Sequence, residues 1–478
     1  MTDDRKLMTR DERRMKNDHC RPQGETMTGP SLLDPELIAR FGQKTLPRYT
    51  SYPPANLWTE QNETLAVAAL ASVSQRPLSL YVHIPFCHKL CLYCGCNMLV
   101  TRKQDLVARY LDALFAEVAL VASRCTARPP VLQVHLGGGT PTYLSAPQLR
   151  QVWQALDRHF ALHKKIEASI EVHPPVTSAE QLECLAELGF SRISMGVQDF
   201  DETVQKRVHR IQPFAQTRDL IVRARALGFH SVNLDLMYGL PLQTVERFSH
   251  TLDRVAELLP DRIALFGYAH MPTLRKHQAV FKKDELPTVQ DRAALLELGV
   301  TRLLKLGYVY VGLDHFALPG DELLSARQAG ELRRNFMGYT TGKTSDVLAF
   351  GSSAISEIGP YYYQNARDVI PYCEAVEQKT LPVVRGYSLN ADEQIRREVV
   401  MEILCNLKID FARLSEKHGI DFKKHFAKEI GALAELADAG LCQMGTEGVC
   451  VLDKGQLLLR VVAATFDATQ APHAATGL

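Results

Sequence analysis

The chain has 478 residues, 46% of them apolar and 23% charged, with a formal net charge of +1; that length allows roughly three domains of ~150 residues, or one large α/β domain with appendages. A near-neutral balance argues against a whole-molecule field for nucleic acid, and the chain contains no run of about 18 apolar residues that would cross a membrane. The eleven cysteines are odd in number and mostly scattered, which does not suit a secreted disulfide framework and points to a reducing, cytoplasmic setting.

Residues 1–28 are polar, with charges of both signs and no apolar stretch of a secretory signal, and are expected to form a disordered tail. An N-terminal arm over 29–77 follows. It holds a short helix over Pro30–Phe41 and an extended, proline-punctuated stretch, Pro47-Arg-Tyr-Thr-Ser-Tyr-Pro-Pro54, which offers Arg48, Tyr49 and Tyr52 to a ligand. A helix over Leu65–Ser74 leads into the first strand.

From residue 78 to about 312, short apolar runs alternate with amphipathic helices. The strands are expected at Leu78–Ile84, Val131–Leu136, Ala168–Val172, Arg192–Val197, Ser231–Leu236, Arg262–Phe266 and Tyr308–Val311. Between the first two, Val107, Tyr110, Leu111, Leu114, Val118 and Val121 fall three or four apart and make one apolar stripe. Further helices are expected at Ala146–His159, Ser178–Leu188, Pro213–Leu227, Thr244–Leu259 and Thr288–Leu306. Repeated strand–helix units imply parallel strands with helical crossovers, as a doubly wound sheet or as a full or partial barrel of the triosephosphate-isomerase kind. Either architecture places ligands beyond the C-terminal ends of the strands. The chemically unusual residues fall at that edge: a cysteine cluster, Gly137–Gly139, Glu171, Gln198, Asp235 and Tyr268–His270.

Pro319–Pro360 reads as loop-rich, and the catalytic unit is expected to span 78–362. A mostly helical unit follows over 363–478, with helices at Ala366–Lys379, Ala391–Asn406, Phe411–His418 and Asp421–Ala439. A strand pair at Cys442–Met444 and Val449–Leu452 and a last helix at Lys454–Phe466 give it a winged-helix-like outline. A regulator built on that outline would need a basic recognition helix, whereas Asp421–Ala439 mixes acids and lysines.

The cysteine cluster is Cys87-x3-Cys91-x2-Cys94, with Cys96 beyond it. A structural zinc site would need a second cysteine pair elsewhere. A thioredoxin-like pair would leave Cys87 without a purpose. The favoured reading is an iron–sulfur cluster on three soft thiolates, which leaves one iron open to a ligand. Cys96 is a spare ligand or a neighbour of the substrate side.

This motif after the first strand of such a fold resembles the radical S-adenosylmethionine superfamily and, within it, the oxygen-independent coproporphyrinogen III oxidases. The resemblance is carried by Pro47-Arg-Tyr-Thr-Ser-Tyr-Pro53, Tyr81-Val-His-Ile-Pro-Phe-Cys-His-Lys-Leu-Cys91 with Cys94-Gly-Cys96, and Gly137-Gly-Gly-Thr-Pro-Thr-Tyr-Leu144. It extends through Ser169–Val172, Ser194-Met-Gly-Val-Gln-Asp-Phe200, Asp235 with Tyr238–Pro241, Tyr268-Ala-His270, Asp314–Ala317 and Arg334–Thr341. It implies a partial (β/α)6 barrel in which a 4Fe–4S cluster on Cys87, Cys91 and Cys94 cleaves S-adenosylmethionine to a radical. Two propionate side chains of coproporphyrinogen III then become vinyl groups, giving protoporphyrinogen IX. By motif position, Tyr81, Gly138, Glu171 and Ile355 would contact a first S-adenosylmethionine. Tyr93, Gly139, Thr140, Gln198, Arg210, Asp235 and Ala269 would contact a second. The resemblance further implies a cytoplasmic monomer fed by an electron donor such as flavodoxin or ferredoxin, with no nucleic-acid or membrane partner.

Taken singly, the glycines read as a strand-ending turn, Glu171 and Asp235 as caps or surface charges, and Arg210 as a solvated helix-end charge. Leu136, His173 and His209 depart from residues usual in the family. The alternative is a haem-trafficking chaperone, a sister group that keeps the cluster. That group starts close to its cysteine motif and follows the third cysteine with an aromatic residue, whereas this chain has a long arm ahead of its motif and Gly95-Cys96 after Cys94.

Overall fold

The computed structural model describes residues 34–42, 46–342, 344 and 346–469. The expected tail over 1–28, the first residues of the Pro30–Phe41 helix and the end of the chain lie outside them. Six parallel strands form the centre: β1 (Leu78–Ile84), β2 (Pro130–Gly138), β3 (Ala161–Val172), β4 (Phe190–Gln198), β5 (Ser231–Tyr238) and β6 (Arg262–Gly267). They pair in chain order. Strands buried on both faces read as near-continuous apolar runs, and β1 is buried at six of its seven positions.

Helices cross over between the strands. The one over Gln104–Arg124 buries the expected stripe from Val107 to Val121. Two others begin with reciprocal caps, Ser145 with Gln148 and Ser178 with Gln181, which satisfy amides a helix start leaves unpaired.

The expected seventh strand does not continue the parallel series. β7 (Val309–Gly312) turns back at Leu313, which has φ 46°, into β8 (His315–Ala317). β8 lies antiparallel between β6 and β7. So tight a reversal leaves no room for the crossover a parallel pair needs. At the other edge, the region expected to be loop-rich contributes β9 (Asp346–Phe350), parallel to β1. β10 (Ile355–Ile358), β11 (Tyr361–Asn365) and β12 (Val383–Ser388) extend the sheet antiparallel. With the edge strand Thr59–Glu60, the sheet is thirteen-stranded and open.

The helices at Ala391–Asn406 and Phe411–His418 form as expected. The expected helix over Asp421–Ala439 is broken at Phe426, and the last one is broken near Leu458. The wing is a three-stranded sheet, because Lys408–Asp410 joins the two expected strands. A second apolar cluster unites this region with Phe41, Tyr49 and Tyr52 of the arm and with Val311 and Ala317. No helix among the described residues is long and apolar enough to cross a membrane.

Candidate active site

The cysteine loop leaves β1 and is held by partners outside itself. Phe86–Cys87 pairs with Leu99–Val100. Leu92 N donates to Val208 O at 2.9 Å, and Leu99 N to Pro85 O at 2.7 Å. Gln278 Nε2 donates to Tyr93 O at 2.9 Å, His277 Nε2 to Cys94 O at 2.8 Å, and the Arg275 guanidinium to Gly95 O. Three consecutive carbonyls are thereby fixed from one segment, and a loop too short for its own secondary structure is made rigid.

Two cavities meet beside this loop. The larger, of about 1480 Å3, is lined by Cys87, Cys91, Cys94 and Cys96. Tyr93, Gly139, Thr140, Gln198, Arg210, Asp235 and Ala269 share that lining. The smaller, of about 390 Å3, is lined by Tyr81, Glu171 and Ile355 among others. Gly138, Glu171 and Cys96 border both. Ligand pockets commonly measure about 300–1,000 Å3, so the larger cavity has room for more than one small molecule.

Backbone approach is closest at the glycines. Gly138 has φ 123°, and a Cβ there would lie 2.8 Å from Ile84 O. At Gly139 a Cβ would lie 2.7 Å from Pro85 O and 3.0 Å from Cys87 Sγ, so the space beside that thiol exists because no side chain fills it.

Glu171, on β3, accepts from Gly138 N at 3.2 Å and lies 3.4 Å from His135 Nε2. Burial raises its carboxyl, but His135 and the Gly138 amide outweigh that and leave it below the usual range. Asp235, in the C-terminal half of β5, accepts from Asn233 Nδ2 at 2.8 Å. Burial and then the nearby Glu171 push it up to about 7. Arg210 approaches Cys91 Sγ at 3.6 Å and donates to Gly196 O. Thr140 Oγ1 lies 3.4 Å from Cys87 Sγ. Burial pushes the Cys87 thiol up to about 11, while a hydrogen bond with Cys96 brings Cys94 down to about 7.

These residues fit an iron–sulfur cluster and an anionic cofactor group. Arg210 Nε and Gln198 Oε1 are buried without a partner, and Gln198 holds φ 69°, so polar atoms are left for a ligand to satisfy. No three His, Cys, Asp or Glu side chains among the described residues converge tightly enough to share one ion. A cubane instead takes each thiolate on a different iron.

Sequence reasoning missed the support around Tyr81. His135, on β2, stacks on Tyr81 at 5.9 Å and lies 2.7 Å from Ser169 Oγ. His83 is a satisfied polar residue. Its Nε2 donates to Asn97 O at 2.9 Å, so Nδ1 accepts from the Tyr81 hydroxyl at 3.1 Å. The only prior signal for His135 was a polar residue in the middle of an apolar strand. Of the two arm tyrosines expected to face a ligand, Tyr52 is absent from the lining of either cavity, whereas Tyr49 borders the larger one while its hydroxyl is tied elsewhere. Tyr49 OH donates to Asp467 Oδ2 at 3.0 Å, and Tyr52 OH accepts from Ala468 N at 3.2 Å. Both rings are buried in the second apolar cluster. Arg48 does reach the larger cavity.

Residues 81–255 match the Radical SAM superfamily, and residues 389–458 match the HemN C-terminal domain. The oxygen-independent coproporphyrinogen III oxidase of Salmonella typhimurium is 44% identical over 423 residues, 88% of this chain and 92% of that protein. The Helicobacter pylori protein of the same name is 41% identical over 442 residues, 91% of this chain and 96% of its own length. The solved structure of coproporphyrinogen III oxidase (HemN) from Escherichia coli, described as a radical SAM enzyme, superposes with a TM-score of 0.87 at 43% identity, covering 91% of this chain and 98% of that one. With likeness running through barrel, cysteine loop and C-terminal helices alike, the chain belongs to the oxygen-independent coproporphyrinogen III oxidases of the radical S-adenosylmethionine superfamily.

Proposed function

We propose that this chain converts propionate side chains of coproporphyrinogen III to vinyl groups, with loss of CO2, and that its two cavities divide the work. The observation that carries the division is the sorting of residues. Of the set expected around a first S-adenosylmethionine, Tyr81 and Ile355 line the smaller cavity alone, and Gly138 and Glu171 stand where it meets the larger. The set expected around a second, Tyr93, Gly139, Thr140, Gln198, Arg210, Asp235 and Ala269, lines the larger. Cys87, Cys91 and Cys94, on the wall of the larger cavity, would hold the 4Fe–4S cluster. When bound and reduced, that cluster supplies reductive cleavage of S-adenosylmethionine to a hydrogen-abstracting radical.

The chain's own groups bind and orient. Gly138 and Gly139 let a ligand come against the backbone. Arg210 places a guanidinium beside Cys91 with Nε unsatisfied, a fork suited to grip a cofactor carboxylate through two parallel bonds. Glu171 and Asp235 face the cationic parts of the cofactor. Arg48, Lys89 and Lys206 are exposed around the larger cavity, and the apolar Met98, Val100, Ile211 and Met237 share its wall. Cations over an apolar wall suit an apolar macrocycle with carboxylate arms.

The haem-chaperone reading has no support from relatives that match along most of the chain as oxidases. The protein acts in the cytoplasm as a monomer and receives its electron from a flavodoxin or ferredoxin. The test is anaerobic incubation of cluster-reconstituted protein with S-adenosylmethionine, a reductant and coproporphyrinogen III, with chromatography of the products. Mono- and divinyl porphyrinogens are expected. Steady 5′-deoxyadenosine formation without vinyl product would overturn the assignment. Equilibrium dialysis of S-adenosylmethionine reads the second site, and a stoichiometry of one would remove it.

A further inference from the structure

The segment after β6 has two sides. Its inner side closes the cysteine loop. Gln278 is fully buried, and Phe281 packs with Leu92, Tyr93 and Tyr268. The hydrogen bonds from Arg275, His277 and Gln278 end on the carbonyls of Gly95, Cys94 and Tyr93. Arg207 anchors the far end through an ion pair with Glu285 at 2.7 Å and a hydrogen bond to Val280 O at 2.8 Å.

Its outer side is different. Leu274 is 70% exposed and Val280 52% exposed. Lys276 and Lys283 are also exposed. No carboxylate among the described residues forms an ion pair with either lysine. Glu285 is held by Arg207, which leaves Asp284 as the free acid of the stretch. Exposed apolar side chains flanked by unpaired lysines, on a rigid segment one side chain away from the carbonyl of Cys94, make a surface with a specific complement.

We propose that the outer face of residues 274–283 docks a small acidic one-electron carrier protein and that the electron passes inward through His277 and Gln278 to the cysteine loop. This rests on the cluster assignment above. One electron leaves the carrier, which is oxidised, and enters the cluster, which is reduced; no atom or proton moves at the surface. Entry from this side leaves the larger cavity free for cofactor and substrate. Lysines set the charge of the partner, and Leu274 and Val280 supply the apolar centre of the contact.

The test uses cluster-reconstituted full-length protein and a bacterial flavodoxin as probe. Leu274→Ser, Lys276→Glu and Lys283→Glu alter the outer face without touching the cysteine loop, and Lys164→Glu, near the N-terminal end of β3, is the control. Binding is read by titration calorimetry, and cluster reduction by the loss of its visible absorbance on mixing with reduced flavodoxin. The Lys276→Glu/Lys283→Glu pair is expected to weaken binding about tenfold or more and to slow reduction by flavodoxin in step. Reduction by dithionite stays at the parent rate, and the control matches the parent throughout.

Binding and flavodoxin-driven reduction within twofold of the parent in every variant would overturn the proposal. So would a parallel loss with dithionite, which would mark the segment as a support of the loop only, and so would a parent dimer that Leu274→Ser dissociates. Neither readout depends on product, so a parent that is reduced but forms no vinyl group would fail the assigned activity and not the docking face.

Discussion

Arg210 looked like an ordinary helix-end charge and instead faces the cysteine loop, 3.6 Å from Cys91 Sγ and with Nε unsatisfied. The planar, five-donor fork of a guanidinium can span Gly196 O and a thiolate and still make two parallel bonds to a carboxylate; a compact ammonium has three donors on one atom and cannot. Arg210→Lys is therefore expected to lower kcat/KM by about tenfold or more, the loss of one charge-assisted hydrogen bond, while iron content stays at the parent level. Asp235 gives a pH dependence with a defined sign. Burial and Glu171 push it up to about 7, so it is mainly neutral at pH 6 and mainly ionised at pH 8. Because an ionised Asp235 attracts the cationic part of S-adenosylmethionine, affinity is expected to rise with pH through that range, by roughly an order of magnitude at most per unit below the pKa. Asp235→Asn flattens the profile; isotherms at pH 6 and pH 8 check both. The motif residues were legible because their types are unusual at strand ends. His135 was not, since nothing in a period-two pattern distinguishes a side chain that orients Glu171 from one that merely fills a sheet.

At the scale of elements, the six barrel strands were legible as short apolar-rich runs set between amphipathic helices; β1 is buried almost throughout, while β5 alternates buried and half-buried positions and still stands out. β9 to β12 were not. Asp346–Phe350 is only five residues long, and the Gly351-Ser-Ser-Ala354 run that follows resembles a loop until pairing with β1 is known. The helix over Gln104–Arg124 carried another hidden feature. Glu117 sits within its apolar stripe and is 1% exposed. Its carboxylate accepts from Tyr372 OH at 2.6 Å, Asn365 Nδ2 at 2.6 Å and Gly351 N at 2.8 Å. Glu117 thus pins the turn that leads to Ile355 on the wall of the smaller cavity. Burial, partly offset by those donors, pushes it up to about 7. A carboxyl raised in the folded state binds more protons folded than unfolded. Its contribution is full below about pH 4.5 and is lost as pH rises through about 7, by at most about 3 kcal/mol. Melting curves from pH 5 to pH 8 should show the parent losing stability relative to Glu117→Gln, whose amide does not titrate. A constant difference between the two would show that Glu117 stays ionised throughout.

At the scale of the molecule, a net charge of +1 conceals a local arrangement. The exposed charged side chains lining the larger cavity, Arg48, Lys89 and Lys206, are all cationic, and its carboxylates, Glu171 and Asp235, are set further in. Arg48 is carried there by the arm. The arm is tied down through Tyr49 to Asp467, through Tyr52 to Ala468, and by Arg334 Nη1 donating to Tyr49 O at 2.8 Å. Sequence alone pointed to Arg48, Tyr49 and Tyr52 as a group offered to a ligand but could not separate anchoring from pocket lining, because a tyrosine serves both. Tyr49 lines the cavity and ties its hydroxyl to Asp467, whereas Tyr52 only anchors. A rim of exposed cations attracts a polycarboxylate through solvent, where the Debye length is about 8 Å at 0.15 M salt. Such attraction acts on encounter and ground-state binding, and it acts equally on the transition state. Raising salt from about 0.05 M to about 0.3 M should therefore raise KM for coproporphyrinogen III several-fold and leave kcat unchanged. Lys206 is held by Glu202 at 2.9 Å in an exposed i,i+4 pair, which is worth only about 0.3–0.5 kcal/mol and gives way readily to a substrate carboxylate. Arg48→Ala and Lys89→Ala should each raise KM at low salt and reduce its salt sensitivity, since each removes one of the screened charges. If kcat falls while KM and its salt dependence stay at parent values, these cations act at the reacting centre, and substrate capture must be sought on the apolar wall.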